Sequence, residues 1–281
     1  MVQRLDHLSN ILKQVRDRQP VVHAMNNIVT ANDVANVLRA VGARPILAFA
    51  TEEVAEIVSR ADALVLNLGT PTPERITAMM LAGRQANALG KPVVFDPVGA
   101  SASRFRISSA QRILYELRLA VIKGNRAEIG ALAGMGGDLR GLDAVAGPTD
   151  LRAAAEALSR QTGAVVAVSG EHDLVVRGGQ VAVVENGDPL MGQVTGTGCM
   201  LTAIIAAFAA VESDIVRATV AAVACYGLAG EYAGKHAKGP GTFKTALLDS
   251  LSSLTPEMME TGARISSAGG GSSIPFKKST V

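Results

Sequence analysis

The chain is predicted to fold as an α/β protein, with a mostly parallel central sheet covered by helices on both faces. Short β-rich runs alternate with longer helical patterns through most of the 281 residues. Runs such as ALVLNL (63–68) and KPVVFD (91–96) are apolar at consecutive positions, so both faces of such strands are buried. Helix-length segments between successive strands are what parallel pairing requires, because each crossover must return the chain to the same end of the sheet.

In order, strands are expected at residues 21–25, 45–48, 63–68, 92–95, 119–122 and 164–168. The segments between them, 30–41, 52–59, 73–89, 103–117, 126–133 and 150–161, carry helical patterns and supply the crossovers. Residues 174–177 and 180–184 flank Gly178-Gly179, the signature of a hairpin, so an antiparallel edge closes the sheet. Beyond Gly196 the expected elements are helices, at 199–211, 213–234 and 245–254. With no repeat and no linker, one domain is expected over residues 1–265. Residues 134–141 (GMGGDLRG) read as a flexible connection, and 266–281 (SSAGGGSSIPFKKSTV) as a disordered tail.

Composition excludes several classes of function. Apolar residues make up 48% and charged residues 19%, a globular balance. A net charge of +2, 3% aromatics and no Trp leave neither a basic nucleic-acid surface nor base-stacking platforms. The two cysteines, Cys199 and Cys225, form no CxxC pattern or disulfide framework, which makes a reducing cytoplasm the expected compartment. The N-terminal MVQRLDHLSN has no signal-type apolar core, and the longest apolar run, 200–211, is well below the roughly 18 residues a membrane span needs.

Ligands of open α/β sheets bind beyond the carboxyl ends of the strands. The polar residues there are Asn26-Asn27, Asn67 to Thr70, Asp96 to Gly99, Lys123 to Glu128 and Ser169 to Glu171. Each is individually a serviceable turn, cap or strand-end residue. Together Asp96 and Glu128 supply two carboxylates on neighbouring strand ends, and Lys123 supplies a cation. Gly196-Thr197-Gly198-Cys199 opens an apolar helix, and such a turn gathers backbone N–H groups at the positive end of the helix. These are the parts of a phosphoryl-transfer site using a Mg²⁺–nucleotide, where catalysis is chiefly positioning and charge stabilisation. The Gly90-Lys91 pair precedes a strand and is followed by Pro92, so it is no P-loop. His23 reads as a packed, hydrogen-bonded core residue and Cys225 as a small core residue.

At this point the chain resembles the hydroxyethylthiazole kinase family of the ribokinase-like superfamily, over about residues 19–254. The matching segments are VHAMNNIVTANDVANVLRAVGARP, ATEEVAEI, ALVLNLGT, KPVVFDPVGASASRFR, IKGNRAEI, VSGEHD, VTGTGCMLTAIIAAF and GPGTF, in that order. The resemblance implies a ribokinase-like three-layer sandwich. It implies transfer of the ATP γ-phosphate to the hydroxyl of 4-methyl-5-(2-hydroxyethyl)thiazole with Mg²⁺, in thiamine biosynthesis or salvage. It also implies a homotrimer with substrate sites between subunits. By the same resemblance, Asn125-x-x-Glu128 is similar to the superfamily's phosphate and Mg²⁺ motif, with Asp96 its partner carboxylate. Gly198 belongs to the glycine anion hole. Asn27, Gly69 and Gly196 correspond to substrate positions, and Ser169 falls at a nucleotide-binding Thr. Cys199 falls where sibling kinases carry an Asp base.

The chain departs from the family pattern at two of these positions. Leu47 stands where a substrate-contacting Met is usual, an apolar exchange of similar volume. Lys123 replaces an Arg, a point charge in place of a bidentate fork toward the nucleotide. Two rival readings remain. A ribokinase-like dehydratase acting on hydrated nicotinamide nucleotides calls for a carboxylate at position 199, where a Cys stands. A non-catalytic small-molecule sensor is favoured by that Cys, since a thiol is a poor base for a hydroxyl at neutral pH.

Overall fold

The computed structural model describes residues 7–134 and 150–267. Its sheet has nine strands: β1 Val21–Met25, β2 Arg44–Ile46, β3 Ala63–Asn67, β4 Val93–Asp96, β5 Val121–Asn125, β6 Val165–Ser169, β7 Asp173–Arg177, β8 Gln180–Val184 and β9 Ile265–Ser267. Their order across the sheet is β2-β1-β3-β4-β5-β6-β7-β8-β9. The pairings from β2 to β6 are parallel, and β7, β8 and β9 add antiparallel strands at one edge.

The double burial read from the strands appears residue by residue. In β3, Ala63 and Val65 enter one core while Leu64 and Leu66 enter the other; in β6, Val165 and Ala167 oppose Val166 and Val168 in the same way. The first core is closed by α1 Ser9–Arg18, α2 Ala31–Val41, α8 Thr197–Ala209, α9 Ile215–Gly234, α10 Pro240–Ser253 and α11 Pro256–Gly262. The second is closed by α3 Val54–Arg60, α4 Pro73–Ala88, α5 Arg104–Glu116, α6 Arg126–Leu132 and α7 Leu151–Thr162. This is the three-layer arrangement expected.

Local chemistry starts these helices where they start. Thr72 caps α4 by accepting from the Arg75 N–H, with Pro73 in the first turn. Ser103, Asp150 and Asp214 cap α5, α7 and α9 in the same way. Helix α10 begins at Pro240, five residues before the expected 245, because a proline costs nothing at the first helical position. Helices α1 and α11, strand β9 and a short 3-10 helix at Pro189–Gln193 were not foreseen.

Two boundary differences matter for the site. Strand β5 continues to Asn125, beyond the expected 122, because Lys123, Gly124 and Asn125 pair with Ala167, Val168 and Ser169 of β6. Lys123 is therefore a fixed strand residue and not part of a loop. Ser266 and Ser267, assigned to the tail from sequence, pair with Val183 and Ala182 of β8. Residues 268–281 and most of the expected flexible connection lie outside the described residues.

Candidate active site

Helix α8 is the organising element. Its N-cap is Gly196, at φ 95° in the left-handed region, with no side-chain cap. A Cβ at Gly196 would lie 2.6 Å from Thr30 Cγ2, so glycine is needed both for the backbone angle and for the approach of α2. The first turn of α8 thus presents uncapped backbone N–H groups at the carboxyl end of the sheet. Lys123 is 3% exposed, and its Nζ would be 2.8 Å from a Cβ on Gly198. The ammonium therefore lies directly against that turn. The positive helix end and the buried cation act together on one point, a strong setting for polyanionic phosphate.

Beside that point is a cleft of about 890 Å³, within the usual range for small-molecule sites. Ser169, Gly170 and Asp173 line one side, and the 186–192 segment lines the other. Thr197, Gly198, Leu201, Tyr226 and Gly227 line it from α8 and α9. Burial pushes the Asp173 carboxyl up to about 7, against an N–H from Gly170 and the charge of Lys123. The 186–188 corner is tied down from outside. Asn186 donates to Glu231 and to the Gly262 carbonyl, and Glu231 also accepts from Gly187 N and from Arg264. Helix α9 lets this segment approach because glycines face it. A Cβ at Gly227, Gly230 or Gly234 would lie 2.4, 2.6 or 1.9 Å from Asn186 O, Met191 Sδ or Asp188 Oδ2.

On the other side of Lys123 is a buried polar network. Asp96 ends β4, is 2% exposed, and takes hydrogen bonds at Oδ2 from Asn67 (2.8 Å) and Thr202 (2.9 Å). Burial raises its carboxyl above the ordinary range, opposed by Lys123 and these donors. Cys199 Sγ lies 3.2 Å from Asn67 Nδ2 and 3.4 Å from Asn27 Nδ2. Burial, and then the Asp96 charge, push its thiol up to about 11. At neutral pH Cys199 is a thiol.

Glu128 and Asn125 form a reciprocal cap on α6. Glu128 N donates to Asn125 Oδ1 (3.0 Å), and Asn125 N donates to Glu128 Oε2 (2.8 Å). Glu128 Oε1 accepts from Gly99 N at 2.9 Å. Burial raises this carboxyl, and the Asp96 charge raises it further. Each carboxylate keeps acceptor capacity beyond these bonds, since an ionised carboxylate has about four lone-pair sites. No group of three or more His, Cys, Asp or Glu suited to a metal occurs among the described residues. Two carboxylates without a third suit Mg²⁺, which takes few protein oxygens and completes its shell with water and phosphate.

Among the residues singled out from sequence, Asn27, Gly69, Asp96 and Cys199 are linked in one network through Asn67. Gly196, Gly198 and Lys123 meet at the helix end. Asn125 and Glu128 flank the same strand ends, and Ser169 lines the cleft. Leu47 follows the edge strand β2 and is half-buried against the first core. His23 is a buried core residue whose Nε2 is 3.0 Å from the Ala48 carbonyl oxygen. Sequence reading placed Asn67 among the polar strand ends without a role of its own, and did not single out Thr202, Asp173 or Tyr226. Thr202 could have been noticed as a hydroxyl three residues after Cys199 in a helix otherwise apolar beyond that Cys.

The sheet order and the two helical layers define an α/β fold of the kind seen in ribokinase-like structures. A ribokinase-like superfamily protein from Enterococcus faecalis V583 superposes with a TM-score of 0.61 at 16% identity, over 90% of this chain and 94% of that one. The chain belongs to the hydroxyethylthiazole kinase family, whose sequence pattern matches residues 12–257. It is 49% identical over 257 residues to a hydroxyethylthiazole kinase of Thermoanaerobacter pseudethanolicus, covering 91% of this chain and 97% of the relative. A Chloroflexus aggregans protein of the same name is 48% identical over 260 residues, covering 92% and 94%. The solved hydroxyethylthiazole kinase protein from Pyrococcus horikoshii OT3 superposes with a TM-score of 0.86 at 38% identity, over 93% of this chain and 99% of that one.

Proposed function

We propose that this chain transfers the γ-phosphate of ATP to the hydroxyl of 4-methyl-5-(2-hydroxyethyl)thiazole, with Mg²⁺, in thiamine biosynthesis or salvage. The observation that carries the reading is the junction at Gly196–Cys199. There one uncapped helix end has the cleft and Lys123 on one side, and the Asn27–Gly69–Cys199 cluster on the other.

In this reading the cleft holds the nucleotide, with Ser169 and Gly170 on its wall. Lys123 and the α8 N–H groups stabilise the charge on the transferring phosphoryl group. Asp96 and Glu128 would hold Mg²⁺, which neutralises phosphate charge when bound. Asn27, Gly69 and Gly196 enclose the alcohol beside Cys199. A loose transition state keeps the alcohol proton until late, so a group that orients the hydroxyl suffices and a strong base is not required. A protonated Cys199 meets that need.

The test is ADP release from ATP with thiazole, pyrimidine and sugar alcohols in parallel, alongside dehydration of hydrated nicotinamide nucleotides. Turnover is expected with the thiazole alcohol. Turnover confined to another substrate, or none with any, overturns the assignment.

The proposal extends to a homotrimer with sites between subunits. Ile28 and Val29 directly follow Asn27 and are 72% and 64% exposed, and Leu47 lies beyond the edge strand of the same sheet margin. Apolar side chains bordering a site in this way call for a covering surface. A neighbouring subunit would complete the pocket wall, with Leu47 as its contribution. Sedimentation of the purified chain should give a trimer. A fully active monomer at micromolar concentration would contradict both the assembly and the shared site. No helix among the described residues is long and apolar enough to cross a membrane.

A further inference from the structure

We propose that Asn67 is a positioning residue of the phosphoryl transfer, a single buried amide that fixes Cys199 and Asp96 relative to the substrate loops. The proposal rests on the kinase reading above. Asn67 ends β3 in direct register with Asp96 of β4, so the parallel pairing sets the two side chains side by side. It is 0% exposed, and all four of its hydrogen-bonding positions are used. Oδ1 accepts from Gly69 N (2.9 Å) and Asn27 Nδ2 (3.0 Å). Nδ2 donates to Asp96 Oδ2 (2.8 Å) and Cys199 Sγ (3.2 Å).

The orientation of the amide follows from its partners. A backbone N–H at Gly69 can meet only the oxygen, and a carboxylate at Asp96 can meet only the nitrogen. Asn27 is oriented in the same way, since its Oδ1 accepts from Val29 N and Thr30 N. Its Nδ2 is thereby turned toward Cys199 and Asn67. Two amide donors consequently converge on the Cys199 sulfur, restraining it between the substrate loop and the Asp96 carboxylate. Buried side chains with every valence satisfied have one low-energy arrangement, and that is what a group placing reacting atoms requires.

The test uses Asn67→Asp, which keeps shape and an acceptor toward Gly69 but sets a second buried carboxyl against Asp96, leaving at most one shared proton in place of the two N–H donors to Asp96 and Cys199, together with Asn67→Ala. Both should lose about 10²-fold in kcat, the scale of a small misplacement of reacting groups. The loss should fall on kcat more than on KM for ATP, because the amide touches no residue lining the cleft and reaches the Mg²⁺ pair only through Asp96. The discriminating measurement repeats Asn67→Ala in a Cys199→Ala background. Coupled groups are non-additive, so the loss there should shrink at least about fivefold. A role limited to joining strand ends predicts the same fractional loss in both backgrounds, and that result overturns the proposal. So does wild-type kcat in Asn67→Asp, the variant to rely on if Asn67→Ala does not fold. Absence of turnover in the wild type would sink the kinase reading instead, so the two failures are distinct.

Discussion

Glu128→Gln is expected to cut turnover by about 10²–10³-fold, the usual cost of one preorganised electrostatic contact in a transition state. The capping bonds add a second effect. Both oxygens of Glu128 accept backbone N–H groups, from Gly99 and Asn125. The amide of a glutamine would turn its NH₂ toward one of these donors and leave it unpaired. A buried unsatisfied group costs about 1–3 kcal/mol, so the melting temperature should also fall. Turnover per folded molecule, measured well below the transition, separates the two. A variant with lowered stability and wild-type kcat would reduce Glu128 to a helix cap and remove it from the chemistry.

Cys199→Ala is expected to slow turnover by about 10–10³-fold, on the scale of general acid–base and orienting effects, with thiazole affinity changed only several-fold. With the thiol raised to about 11, it stays protonated across pH 6–9. The wild type and Cys199→Ala should therefore show the same shape of kcat against pH in that window, differing only in height. Cys199→Asp should retain or raise activity. Its carboxyl would meet the same burial and Asp96 charge that raise the thiol, and would inherit the N–H donors of Asn67 and Asn27, which oppose them by favouring the ionised form. If the alanine variant matches the wild type while the aspartate variant is inactive, Cys199 is a packing residue.

Much of the frame was legible because each layer has a local cause. Consecutive apolar runs mark doubly covered strands, and Gly178-Gly179 marks the antiparallel turn between β7 and β8. The strand-end residues of the site were legible as a set for the same reason: a parallel sheet gathers its carboxyl ends along one margin. What joins them was not. Asn67 meets Asp96 because β3 and β4 pair in one particular register, and register belongs to the assembled sheet. Lys123 looked like a loop cation because the glycine after it resembles a strand end. Pairing with β6 carries the strand past both. Strand β9 was hidden because three residues closing an edge carry no periodicity of their own.

The glycines at 227, 230 and 234 give the cleft a property that its own lining does not reveal. The far wall lies where it does because α9 has no side chains beneath Asn186, Met191 and Asp188. The spacing between the walls is thus set partly by missing atoms, at two positions that do not line the cavity. A single methyl at Gly230 or Gly234 would act as a shim behind the panel, displacing it from the rear while leaving every cleft-lining side chain unchanged. If the cleft holds the nucleotide as proposed, its fit is adjustable from a helix face that the nucleotide would not touch.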